Sequence, residues 1–262
     1  MDKSIIICEG KTDTILLSYY LEAVRGWQSI YTLKKDERKL YEKSIKNGSD
    51  FKVKDANTQE INWYVREQEL LCIRAAGSID IIPDVFKEII EFNGLGDAEY
   101  FKKIAVIADR DEGSSETKLI SNLSEEINCI LEHNIWKNID GFKDKFGLGI
   151  KFSVFTLLLP LEEEGALEKF LLNALSDIDI TDRKVISQSN TFIDNLDCCI
   201  EETGEKKYLQ GRGDILKAKF ATFFAISTPR RTFDSGDKII RSVRWEQFSY
   251  VNESFKKLAE GL

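Results

Sequence analysis

The chain has 262 residues, 42% hydrophobic and 11% aromatic, with 37 Lys+Arg against 45 Asp+Glu for a formal charge of −8. Its only histidine is His133, which excludes a His-rich zinc site and paired-His acid/base chemistry. Five scattered cysteines (Cys8, Cys72, Cys129, Cys198, Cys199) show no CxxC spacing, and no apolar run reaches bilayer-spanning length. The expectation is a cytoplasmic protein with neither a zinc nor a disulfide framework and no use of a membrane.

Ser4–Cys8 (SIIIC) is a continuous, mostly β-branched apolar run, the pattern of a buried parallel strand. It ends at Glu9-Gly10, where Thr12 or Asp13 can cap the helix TILLSYYLEAV. Residues 34–60 are polar and charged. They read as a surface insertion, a short helix and then a hairpin around Asn47-Gly48, inside a broader insertion over 28–70. NWYVREQELLCIRA predicts one or two strands, Gly77-Ser78 a break, and DIIPDVFKEIIEFNG an amphipathic helix. KKIAVIADRDE predicts a second buried strand with Asp109 and Asp111 at its C-terminal end, followed by a helix over ETKLISNLSEEINCILEHN. KFSVFTLLLP predicts a further strand and LEEEGALEKFLLNAL a helix. The last third reads as helical, most clearly at DILKAKFATFFAIS and WEQFSYVNESFKKLAE.

Strands alternating with helices predict an α/β fold, a mostly parallel sheet flanked by helices with an insertion and a helical C-terminal part. Residues 1–225 read as the α/β domain and 226–262 as a helical extension packed on it. In such sheets sites form at the C-terminal strand ends. Glu9, Gly77, Asp109, Asp111 and Glu162 to Glu164 all follow a predicted strand. Side chains alternate in an extended segment, so Asp109 and Asp111 point one way and Arg110 the other. Converging carboxylates need a cation or a proton between them. Mg²⁺ is hard, prefers oxygen and favours carboxylates combined with substrate phosphates. Two such ions about 4 Å apart would activate water and stabilise the leaving oxygen of a phosphodiester.

Charge is uneven along the chain. Residues 201–262 carry 12 Lys+Arg against 9 Asp+Glu, whereas the first 200 carry 25 against 36. Lys206, Lys207, Arg212, Lys217, Arg230 and Arg231 lie in the basic stretch 206–244, the candidate phosphate contact for DNA or RNA.

IIICEGKTD resembles the first signature of the Toprim family, a hydrophobic strand followed by EGxxD, and IAVIADRDE resembles the second, a strand followed by DxD. LLPLEEEGALEKFLL is similar to a third stretch of small stand-alone, OLD-nuclease-like Toprim proteins of bacteria and archaea, some linked to anti-phage defence. The resemblance covers roughly residues 3–27 and 70–225. It implies a Mg²⁺- or Mn²⁺-dependent nuclease with two ions held by Glu9, Asp109 and Asp111, with Asp13 as a further ligand or supporting group. Glu9 would also do acid/base work, and Glu164 and Glu168 would help hold the second ion. Gly10 and Gly77 would mark close backbone approach. Lys217 or Lys219, with Lys219 favoured, would stabilise the developing phosphorane charge. No active-site tyrosine, zinc ribbon or GxxxxGK[ST] is present, which argues against strand passage, primer synthesis and an attached ATPase.

Two other readings compete. Asp109-Arg110-Asp111 has the DxD of a phosphatase nucleophile pair, but Gly113 stands where that chemistry wants a hydroxyl. A non-catalytic Toprim-like regulatory subunit, binding a protein partner or a second copy, could use the aromatics Phe220, Phe223, Phe224, Phe233, Trp245, Phe248 and Tyr250 as its contact face, although core packing is the commoner use of such residues.

Overall fold

The strands that were legible as unbroken apolar runs are apolar because both of their faces are covered. In β1 (Asp2–Cys8), Ile6 and Cys8 belong to one core cluster while Ile5 and Ile7 belong to the other. The computed structural model describes residues 1–48, 61–95, 100–111, 113–204, 207–231 and 236–262. After β1 come α1 (Lys11–Arg25), β2 (Gln28–Ser29), α2 (Lys35–Gly48), the hairpin β3 (Ile61–Arg66) and β4 (Glu69–Ala75), and α3 (Ile82–Asn93). Next are β5 (Phe101–Asp109), α4 (Gly113–Glu126), β6 (Lys137–Ile139) and β7 (Phe152–Leu159). The helical part holds α5 (Leu167–Ile178), α6 (Ile180–Glu202), α7 (Arg212–Ser227), the short α8 (Gly236–Ile240) and α9 (Ser249–Gly261).

Among the described residues the strands form one sheet in the order β2-β3-β4-β1-β5-β7-β6. Its centre, β4-β1-β5-β7, is parallel, and β2, β3 and β6 add antiparallel margins. The chain is an α/β protein with a mostly parallel sheet, flanking helices and a helical C-terminal part. One face packs against α1, α5, α7 and α9, and the other against α3 and α4. The connection from β1 leads to β4 on one side, and β5 then pairs on the other side of β1. That reversal places a crevice beyond the carboxyl ends of β1 and β5, the usual position for a ligand in this architecture.

Several expectations need correction. Asn47-Gly48 do not turn a hairpin but end α2, whose Tyr41 and Ile45, one turn apart, pack on the core. The remainder of the predicted hairpin, 49–60, lies outside the described residues. The hairpin present is β3–β4, turning at Glu67, a non-glycine residue with φ 51°. The helix after β5 stops at Glu126, and Asn128 takes φ 48°. A side-chain bond from the Leu131 N–H to Ser124 Oγ (3.0 Å) then fixes a loop that carries His133 to β7. The proposed boundary at 225/226 falls within α7, whose Phe223 and Phe224 share a core cluster with Trp245, Val251 and Phe255. The C-terminal aromatics take the core use rather than the contact-face use: Phe223, Phe224 and Trp245 are buried, and Phe220, Phe248 and Tyr250 lean on the same core. Phe233 lies outside the described residues.

Asn93 shows how the strand that delivers the acidic motif is fixed. Its fully buried side chain donates to the Phe101 carbonyl and accepts from the Phe101 N–H, both at 2.9 Å. Asn93→Ala removes both of these buried bonds, so we expect a loss of about 2–3 kcal/mol, read as a lower denaturant midpoint at unchanged m-value.

Candidate active site

Glu9 follows β1 directly, and the main chain around it is tied to both neighbouring strands. Its N–H donates to the Ile107 carbonyl (3.2 Å), and its own carbonyl accepts from the Gly77 N–H (2.8 Å). Gly77 sits at φ 103°, a conformation side-chain-bearing residues avoid, so glycine there lets the β4 end close against Glu9. Gly10 rather than Thr12 or Asp13 is the N-cap of α1. Asp13, in the first turn of α1, accepts the Gly10 N–H through Oδ2 at 2.9 Å. A Cβ on Gly10 would stand 3.2 Å from that oxygen, which is a tight approach.

Asp109 ends β5. Its main-chain N–H donates to Glu9 Oε2 (3.3 Å), and its Oδ1 accepts the N–H of Leu167, the first residue of α5, at 2.9 Å. The N-cap of α5 is Ala166, which has no side-chain acceptor, so a carboxylate 58 residues earlier caps the helix instead. Arg110 turns away as the alternation requires. Its guanidinium pairs with Glu116 at 2.9 Å and lies beside the ring of His133, whose burial lowers its pKa. The solitary histidine is thus outside the acidic cluster.

Burial pushes the Glu9, Asp13 and Asp109 carboxyls up. For Asp109 the negative charges of Asp13, Glu9, Glu168 and Asp111 add to burial and raise it to about 9. Asp13 rises to about 7 through burial and then through Glu9 and Glu168. Five of the six acidic residues marked in the sequence therefore act on one another across four elements, which is the pattern expected where function keeps like charges together.

The sixth, Glu164, is separate. Gly165 bridges to Arg110, its N–H donating to the Arg110 carbonyl at 2.8 Å, so residues 161–165 run as a bend and the helix begins only at Leu167. Glu164 consequently lies exposed on the rim, 3.5 Å from the Arg212 guanidinium, and does not share a helix face with Glu168. Glu168, in the first turn of α5, faces Asp13 and Asp109.

The cations sort themselves in the same way. Lys217 on α7 lies close enough to Glu9 to favour its charged form. Lys219, favoured from the sequence, instead pairs with Asp194 of α6 at 2.7 Å on another side of α7. Arg212 at the start of α7 donates to the Asp111 main-chain carbonyl as well as to Glu164. The sequence alone points only to a phosphate contact for it. Lys207 is exposed over the Tyr208 ring (5.1 Å), and Arg230 and Arg231 are exposed in a 3₁₀ turn with no bond to the cluster among the described residues. Lys206 lies outside the described residues.

Among the described residues, no group of three or more His, Cys, Asp or Glu is already gathered as a ligand set for one ion. Mg²⁺ takes one or two protein carboxylates and completes its octahedron with water and substrate oxygen. The donor chemistry fits such an ion: the cluster offers only hard oxygens, and Asp13 and Asp109 are each fixed through one oxygen by a main-chain N–H.

The raised carboxyls set a pH dependence. The folded chain holds protons on Asp13 and Asp109 that the unfolded chain releases near pH 4. Stability from these groups is therefore present below about pH 4 and is lost as pH rises towards 7 and then 9. Asp109→Asn keeps the acceptor for Leu167 and removes the repulsion. We expect it to stabilise the metal-free protein at pH 8.5 by about 1–2 kcal/mol, a few degrees in Tm, with a smaller gain at pH 5.5. An unchanged or lower Tm at pH 8.5 would contradict the charge strain.

Among curated proteins none matches this chain. A solved structure, that of the hypothetical protein PH0156 from Pyrococcus horikoshii OT3, is similar at 17% identity and a TM-score of 0.46, over 98% of this chain and 100% of that one. The family described as "Protein of unknown function (DUF3226)" matches residues 3–258, and the chain belongs to that family.

Proposed function

We propose that this chain is a Mg²⁺-dependent, Toprim-like nuclease that hydrolyses phosphodiester bonds of DNA or RNA. The observation that carries the reading is the set of acidic groups at the ends of β1 and β5 that raise one another's proton affinity, a charge density that a bound cation would relieve. Glu9, Asp109 and Asp111 would hold the ion, with Asp13 and Glu168 supporting them. When bound, Mg²⁺ would supply a more acidic coordinated water and charge neutralisation at the leaving oxygen.

The remaining roles fall to the chain's own groups. Glu9, with its carboxyl raised by burial, would accept the proton of the attacking water. Lys217 on α7, whose charge favours the ionised form of Glu9, would stand against the charge that grows on the phosphoryl oxygens. Arg212, bonded to the Asp111 carbonyl, would fix that turn and meet the adjoining phosphate. A role as an effector of phage defence rests on the resemblance alone.

The test is cleavage of plasmid, single-stranded DNA and tRNA with Mg²⁺ or Mn²⁺. Cutting should require the metal and fall about 100-fold or more in Glu9→Gln and Asp109→Asn. Lys217→Ala should lose roughly ten- to a hundred-fold. No cutting of any substrate by folded protein under these conditions sinks the nuclease reading.

A further inference from the structure

Helix α7 has a second working side. Between α5, α6 and α7 lies a cavity of ≈ 320 Å³, at the lower end of the range for small-ligand sites. Leu172, Ile186 and Ile215 supply apolar walls. Asn173 and Asn190 supply amide groups, and Lys169 and Arg212 stand among its lining residues. The Asn190 Oδ1 is buried and has no hydrogen-bond partner among the described residues. Arg212 joins this cavity to the acidic cluster, because the same guanidinium that lines it donates to the Asp111 carbonyl.

Aliphatic walls, the side chains of Asn173 and Asn190 and the Arg212 cation beside them suit a ring that carries hydrogen-bonding groups and is attached to phosphate. A nucleobase is such a ring. A base seated here would have its own backbone on the Arg212 side, next to the acidic cluster. Bases within a duplex cannot reach such a cavity without leaving the stack, whereas an unpaired base reaches it directly. We propose that the cavity between α5, α6 and α7 holds one unpaired nucleobase of the strand beside the scissile phosphate, so that the substrate is single-stranded nucleic acid. The inference rests on the phosphodiesterase reading of the adjoining acidic cluster.

The experiment separates the two readings by measuring binding of the full chain in EDTA, where no cutting occurs. Fluorescence anisotropy would compare a labelled single-stranded 12-mer, the same length of abasic backbone, a duplex, and free nucleoside monophosphates as competitors. The expected result is a preference of about ten-fold for the normal 12-mer over the abasic one. That preference should vanish in Ile215→Trp, which fills the cavity, and shrink in Asn190→Leu, with the Tm of each variant recorded. Equal binding of normal and abasic strands, or an undiminished preference in folded Ile215→Trp, overturns the base pocket. Competition by a monophosphate at the affinity of the 12-mer also overturns it, assigning the cavity to a free nucleotide. Pocket-dependent binding without metal-dependent cutting in the companion assay leaves the pocket standing and removes the nuclease. Metal-dependent cutting of duplex with no base preference does the reverse.

Discussion

Carboxylates held against one another at the end of a parallel sheet repel, and the local structure is built to withstand that repulsion. Asp13 is fixed by the Gly10 N–H, Asp109 by the Leu167 N–H, and Glu9 by the Asp109 N–H. Each of these bonds ties an acidic group to the start of a helix or to the end of a neighbouring strand. Fixed main-chain donors offset part of the charge, yet burial and neighbouring acids still leave the Asp109 and Asp13 carboxyls raised. A fold that needed only helix caps would meet that need with one carboxylate or a hydroxyl per helix. Five acids in mutual range exceed it.

The helical part completes the arrangement from the other side. Helix α7 enters with Arg212 on the Asp111 carbonyl and Glu164, carries Lys217 within electrostatic range of Glu9, and pairs Lys219 with α6. Its C-terminal end joins the core that buries Trp245 and Phe255. Contacts such as Tyr19 to Glu246 (2.9 Å) and Tyr20 to Asn252 (3.0 Å) tie the last helices back to α1, the helix that carries Asp13. The position of the cations over the acidic cluster thus depends on packing contributed by the end of the chain.

Much of this was legible in the sequence where one physical rule acted alone. The runs SIIIC and IAVIA read as buried strands because both faces of β1 and β5 are covered, and the acidic residues after them mark the strand ends. Less was legible where tertiary contact decided the outcome. LEEEGALEKFLLNAL reads as one helix carrying both Glu164 and Glu168, but the bridge of Gly165 to Arg110 delays the helix to Leu167. Lys217 and Lys219 sit two residues apart on a helix of mixed polarity, and only the placement of α6 shows that Lys219 is taken by Asp194 while Lys217 acts on Glu9. Strands β2 and β6, two and three residues long, lack the length for any periodic signal. That Asp109 caps α5 involves partners 58 residues apart, and no local pattern records it.

The central claim is that the strand-end carboxylates form a cation site kept under electrostatic strain. Calorimetric titration of Mn²⁺ into the metal-free protein at pH 7, repeated in buffers of different ionisation heat, counts the protons that leave as the ion binds. About one proton per ion should be released, because the raised carboxyls of Asp109 and Asp13 hold protons that the cation displaces. Binding should be lost or greatly weakened in Glu9→Gln. Mn²⁺ binding without proton release, or equal binding by wild type and Glu9→Gln, would contradict it.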